Sequence, residues 1–239
     1  MPATTMRLSQ NIDVARHLAK TTAQKMYSRH LQNPNTKLVV AVGPAGCGKT
    51  LLPCSFAIEK LLNKEVSRLV ITRPTVMLGE NLGYLPGTMQ QKMDPWMMPV
   101  FDAFKNFVSE VRLRELIKNN VVEICPLAYI RGRTFADCWV IADESQNATV
   151  GQIKTLVTRM GRDSKLVMTG DLDQCDLREK SGLLDLMHRL KHCDDDDLLQ
   201  SQDMIKIQCF EDTDIMRSDL VRFMHRLYAP TDLGNPSNT

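Results

Sequence analysis

Eight consecutive residues, Gly43-Pro44-Ala45-Gly46-Cys47-Gly48-Lys49-Thr50, match the spacing G-x-x-x-x-G-K-[ST] at every fixed position. The chemistry this spacing permits is phosphate capture. Gly43, Gly46 and Gly48 allow backbone angles that a side chain forbids, so the loop can turn its N–H groups inward. The positive end of a following helix, opening at Leu51, adds to the attraction. Lys49 is placed to reach the β- and γ-phosphates of a nucleotide, and the Thr50 hydroxyl to bind Mg²⁺. A glycine-rich turn that binds nothing shares the pattern, so the flanking elements must decide.

Two acids supply what such a loop needs. Val140-Ile141-Ala142 is apolar and runs into Asp143-Glu144. Asp143 suits Mg²⁺, directly or through water, and Glu144 suits a general base that takes a proton from the attacking water. Carboxylates capping a buried strand are costly unless a cation or hydrogen bonds compensate them. The bland alternative is an acidic helix start in a loop. Thr169-Gly170-Asp171-Leu172-Asp173-Gln174 closes another apolar run. Gln174 either positions water and senses the γ-phosphate or sits in a plain Gly-Asp turn. Four arginines remain open. Arg131 and Arg133 flank Gly132 beside Tyr129, a grouping that suits phosphate of nucleic acid or of a neighbour's nucleotide, or a solvated basic loop. Arg73 suits a nucleic-acid strand or an acidic partner, and Arg217 either a γ-phosphate or water.

Composition narrows the classes. The 239 residues suit one large domain, with 43% hydrophobic and 24% charged residues, ordinary for a globular protein. Net charge is +2, so any nucleic-acid surface must be local. Seven scattered cysteines without a C-x-x-C pair indicate neither a zinc site nor a disulfide framework, and imply a reducing cytoplasm. No signal peptide and no apolar run of membrane-spanning length is read from the chain. The five histidines carry no assigned role.

The elements that must position these residues follow from periodicity. Short Val-, Ile- and Leu-rich runs predict strands at 37–42, 68–72, 121–126, 138–142, 165–169 and 204–210. Helical spacing predicts helices at 11–31, 51–62, 100–118, from 150 to about 160, 181–191 and 214–228, the last with Met216, Leu220, Phe223, Met224 and Leu227 on one face. Residues 75–99, rich in Gly, Pro and Met, read as a long functional connection. Asp194 to Asp197 reads as a solvated loop, residues 1–10 as loose and the tail from 230 as frayed. Alternating strands and helices predict an α/β fold, a mostly parallel sheet with helices on both faces and the nucleotide at the carboxyl ends of the strands.

Together these residues resemble the PhoH-like family of phosphate-loop ATPases, from about Gln24 to Tyr228. The resemblance rests on the 43–50 loop, Thr72-Arg73-Pro74, Gly79 to Gly87, Lys92-Met93-Asp94-Pro95, Arg131-Gly132-Arg133-Thr134, Asp143-Glu144-Ser145-Gln146-Asn147, Gly170 to Gln174 and Asp214-Ile215-Met216-Arg217. It implies a RecA-like P-loop NTPase similar to the first motor domain of superfamily 1 helicases, with ATP and Mg²⁺ as cofactors and associations with RNA and phosphate starvation. It also implies that Gln24 recognises adenine, with Tyr27 nearby. Cys47 and Ser145 replace more usual small residues with little expected consequence, and Pro53 is expected to distort the helix after Lys49 slightly. Some relatives carry a fused nuclease domain, for which this length leaves no room. A lone motor domain leaves its ATP site open on one side. The expected solution is a ring of identical subunits, six by analogy, in which a neighbour's arginine completes each site. The partners expected are thus further copies of the chain and single-stranded RNA.

Overall fold

The computed structural model describes residues 18–74, 89–177, 179–192 and 203–227, with the backbone alone at 89–96 and at 225–226. The stretches at 1–17, 79–87 and 194–197 and the tail from 230 lie outside the described residues. Six strands form one sheet: β1 Leu38–Val42, β2 Arg68–Thr72, β3 Val122–Ile124, β4 Cys138–Ala142, β5 Lys165–Gly170 and β6 Ile205–Cys209. All pairings are parallel, in the order β3-β2-β4-β5-β1-β6. The central strands β1, β4 and β5 are buried throughout, as their unbroken apolar runs require when both faces are covered.

Side chains alternate between the two faces. Val39 and Ala41 join one core with Tyr27, Leu31, Phe56, Leu61 and Phe104. Val40 and Val42 join the opposite core with Phe135, Ile153, Leu156 and Leu183. The first core is built by helices α1 Thr22–Gln32, α2 Leu51–Leu62, α3 Met89–Lys105 and α4 Glu110–Lys118, the second by α5 Val150–Val157 and α6 Gly182–Lys191. Helix α7, Asp219–Leu227, ends the described chain. One strand, β5, separates the strand that feeds the glycine loop from the strand that ends in the two acids. This is the RecA-like arrangement expected from the sequence. Among the described residues, no helix is long and apolar enough to cross a membrane.

Several boundaries differ from the periodicity, each for a local reason. Helix α1 opens at Thr22 because Thr21 and Gln24 form a reciprocal capping box, a signal worth about 1 kcal/mol and present in the sequence. The single helix expected at 100–118 is two. Chain turns at 106–108 end α3, and the Ser109 hydroxyl accepts the Arg112 N–H to start α4. Helix α3 begins inside the stretch expected to be irregular and runs through Pro95 and Pro99. Its buried Met97, Val100 and Phe104 share one helical face, which packs on α2 and outweighs the missing donors. Pro53 leaves α2 regular, because at the third helical position its absent N–H would have had no intrahelical partner. The last helix starts at Asp219 rather than 214, since Glu211 and Asp214 close a separate short turn.

Candidate nucleotide site

The loops after β1, β2, β4 and β5 gather at the carboxyl ends of their strands, and every candidate site side chain there has a defined neighbour. The glycine loop is held from three directions. Gly43 donates its N–H to the Gly170 carbonyl (3.2 Å), and the Met216 N–H reaches the Gly46 carbonyl (3.1 Å). Gly43, Gly46 and Gly48 all have positive φ, at 148°, 88° and 90°. A Cβ on Gly43 would stand 2.7 Å from the Phe210 backbone oxygen, so the loop also needs glycine for close approach. Pro44 and Ala45 complete the turn, and Leu51 follows Thr50 as the first residue of α2.

Beneath the loop lie Gln24 and Tyr27. The Gln24 carboxamide is 2% exposed and uses its full bonding capacity on backbone. Its Oε1 accepts the Lys20 and Thr21 N–H groups, and its Nε2 donates to the carbonyls of Cys47 (2.9 Å) and Asp214 (3.3 Å). The adenine contact expected of Gln24 is therefore corrected to a supporting role: the side chain reaches a nucleotide only through the loop it carries. Tyr27 donates its hydroxyl to the Lys49 carbonyl (3.0 Å) and meets Phe210 edge to face. Burial holds the thiols of Cys47 and Cys54 above their usual range, so both act as apolar filling rather than as nucleophiles.

At the front of the loop, Lys49 Nζ donates to the Pro44 carbonyl (2.9 Å). Thr50 stands where a helix cap would, yet its hydroxyl donates to Asp143 Oδ1 (2.8 Å) instead of to the helix. The same Oδ1 accepts the Thr169 hydroxyl (2.6 Å). Asp143 is 4% exposed and sits between the two threonines because β4 and β5 are neighbours. One hydroxyl and one buried carboxylate side by side suit Mg²⁺, which takes few protein ligands and fills its octahedron with water and phosphate oxygens. Among the described residues, no group of three or more His, Cys, Asp or Glu side chains forms a metal site. Thr50 and Asp143 are thus the residues that would hold the ion.

Glu144 stands beside Asp143 in the left-handed backbone region, with φ 53° and ψ 37°. Its carboxylate is gripped on both oxygens, by Arg73 Nη2 (3.2 Å) and by Gln146 Nε2 (2.6 Å). Gln174 is exposed on the short turn after β5, where its amide donates to Asp171 Oδ2 (2.7 Å). Neither Gln146 nor the Arg73–Glu144 pair stands out in the sequence, because both depend on β2 and β5 flanking β4.

The remaining arginines divide. Arg133 binds Glu123 through both guanidinium nitrogens (2.5 and 2.8 Å) and lies over the Phe135 ring, and this pairing holds the Glu123 carboxyl below its usual range. That correction leaves Arg131 as the exposed arginine of its loop, together with Tyr129. The loop follows β3 and is tied to the rim where the Leu127 N–H meets the Arg73 carbonyl (3.3 Å). Arg217 crosses the glycine loop of its own chain: a Cβ on Gly46 would lie 2.6 Å from its Cγ.

Comparisons with known proteins agree with this picture. The family described as PhoH-like protein matches residues 18–229. A PhoH-like protein of Synechocystis is 45% identical over 69% of this chain, and one of Bacillus subtilis is 38% identical over 84%. Protein PhoH of Escherichia coli is 36% identical over 87% of this chain. The chain spans about half the length of these curated relatives, 50%, 60% and 57% respectively. Among solved structures, the large terminase of a bacteriophage that infects a thermophilic bacterium aligns over 94% of this chain and 51% of its own, with a TM-score of 0.49 and 11% identity. With a RecA-like sheet, a phosphate loop and a family match that runs nearly end to end, the chain belongs to the PhoH-like family of phosphate-loop nucleoside triphosphatases.

Proposed function

We propose that the chain binds ATP with Mg²⁺ and hydrolyses it, and that single-stranded RNA and further copies of the chain modulate this activity. The observation that carries the reading is the convergence of Lys49, Thr50, Asp143 and Glu144 at the ends of adjacent strands. Lys49 leaves the Pro44 carbonyl to meet the β- and γ-phosphates, and the loop amides bind their oxygens. Bound Mg²⁺ supplies charge neutralisation of the phosphate oxygens. Thr50 and Asp143 orient that charge, Glu144 takes the proton of the attacking water, and Gln174 lies within the same loop cluster to align it.

Tyr129 and Arg131 support the RNA arm of the proposal. An exposed aromatic ring beside an exposed guanidinium suits base stacking and phosphate contact on single strands. Arg131 also suits the role of a neighbour's finger in a head-to-tail ring, with six subunits by analogy. The free cysteines among the described residues support a reducing, cytoplasmic setting. A second reading, a nucleotide-switched binding module without motor activity, is favoured by the exposed Leu220, Phe223 and Leu227 of α7, which suit a protein partner.

Turnover of ATP with Mg²⁺, measured with and without single-stranded RNA, separates the two. Stimulation severalfold or more supports the RNA-coupled ATPase. Turnover indifferent to RNA favours the switch, and no turnover at all contradicts both.

A further inference from the structure

We infer that Gln146 is a positioning residue, tying the general base Glu144 to the turn that follows β5; this rests on the ATPase reading above. Gln146 lies on the short turn Ser145–Asn147 and is 1% exposed. Its carboxamide joins three parts of the site. Nε2 donates to Glu144 Oε2 (2.6 Å) and to the Gln174 carbonyl (3.3 Å), and Oε1 accepts the Asp171 N–H (3.1 Å). Two neighbouring bonds run in parallel: Asn147 Oδ1 accepts the Asp176 N–H (2.8 Å), and the Cys175 thiol reaches the Gln146 carbonyl (3.3 Å). Gly170 makes the approach possible, since a Cβ there would lie 2.9 Å from Gln146 Oε1.

The two donors on Glu144 differ in what they connect. Arg73 comes from the end of β2 and fixes one oxygen by charge. Gln146 fixes the other oxygen and is bonded to both ends of the Asp171–Gln174 turn, the turn that carries the water-aligning Gln174. A base works when a third group orients it, and a displacement of about 1 Å costs on the order of a hundredfold in rate. Any shift of the turn therefore moves the Glu144 carboxylate with it. A bland account remains for the same bonds: a buried amide that satisfies the Asp171 N–H and has no bearing on catalysis.

The experiment separates the two accounts. Gln146→Met removes all three bonds at similar volume. Gln146→Glu retains an acceptor for the Asp171 N–H and loses the donor to Glu144. The positioning role predicts that both variants lower kcat for ATP by roughly ten- to hundredfold with KM within about twofold. Each is then repeated in a Glu144→Gln background, by single-turnover hydrolysis of labelled ATP. A residue that acts only through Glu144 has no further effect there. Wild-type kcat in either variant, or the same fractional loss in both backgrounds, overturns the positioning role. If Gln146→Met fails to fold, Gln146→Glu alone decides. Loss of turnover in the wild-type chain would instead overturn the ATPase reading, so the two failures are distinguishable.

Discussion

Glycine positions in the phosphate loop differ in what a side chain would meet, and that difference is measurable. At Gly43 a Cβ would press on the Phe210 backbone, which is fixed by its pairing with Val42. At Gly46 it would press on the stem of Arg217, an exposed side chain that can swing away. Gly43→Ala is therefore expected to destabilise the fold by about 2 kcal/mol, and Gly46→Ala by about 1 kcal/mol from backbone strain alone. Urea unfolding of the two variants checks the order, and equal or reversed losses would contradict it. At this scale the loop glycines, Lys49, Thr50, Asp143 and Glu144 were legible in the sequence, because each sits at a fixed spacing or at the end of an apolar run. Gln24 was legible as a member of the site but not as its support. Its burial depends on the fold bringing Cys47 and Asp214 together above it.

Elements were legible where one force dominates. The strands are short apolar runs, and their bounds agree with the structure to within one or two residues at either end. The break between α3 and α4 was hidden because Phe107 and Val108 continue the apolar pattern through the turn. Helix α1 shows how an element is fixed at both ends. Thr21 caps its start, and Lys165 from β5 caps its end, donating to the carbonyls of His30 (3.2 Å), Leu31 (2.5 Å) and Asn33 (2.9 Å) over the Trp139 ring. Burial, with Lys37 and Lys60 nearby, pulls the Lys165 amine down to about 7. In the unfolded chain it titrates near ~10.4. Between these values the unfolded state binds the extra proton, so this group's penalty is full below pH 7 and is released as pH rises. Wild-type stability should therefore rise relative to Lys165→Met between about pH 7 and about pH 10. Parallel stability–pH curves for the two proteins, from chemical unfolding, would contradict this.

The molecule as a whole depends on adjacency that no single stretch encodes. The sheet order places β2 and β5 on either side of β4, so Arg73, Glu144, Gln146 and the Asp171–Gln174 turn meet from separate segments. Parallel topology was legible from alternation, but the identity of neighbours was not, because strand order is set by long-range packing. The proposed ring is tested at the same scale. With Arg133 held by Glu123, Arg131 is the loop arginine able to serve a neighbour. Arg131→Ala subunits should bind ATP and turn over slowly. Mixing them with Lys49→Ala subunits should restore activity, since the second subunit offers its intact arginine to the first subunit's site. Arg217 lies on its own phosphate loop, so an Arg217→Ala variant should show no such rescue. Concentration-independent turnover with no rescue in either mixture would contradict a shared site.

The account stands on Glu144 acting as the base next to a phosphate loop that binds ATP without it. Labelled ATP binding and Mg²⁺-dependent hydrolysis, measured side by side for wild type and Glu144→Gln, test this most directly. The prediction is unchanged affinity with turnover slower by roughly a hundredfold or more. Turnover near the wild-type rate in a variant that still binds ATP would contradict it.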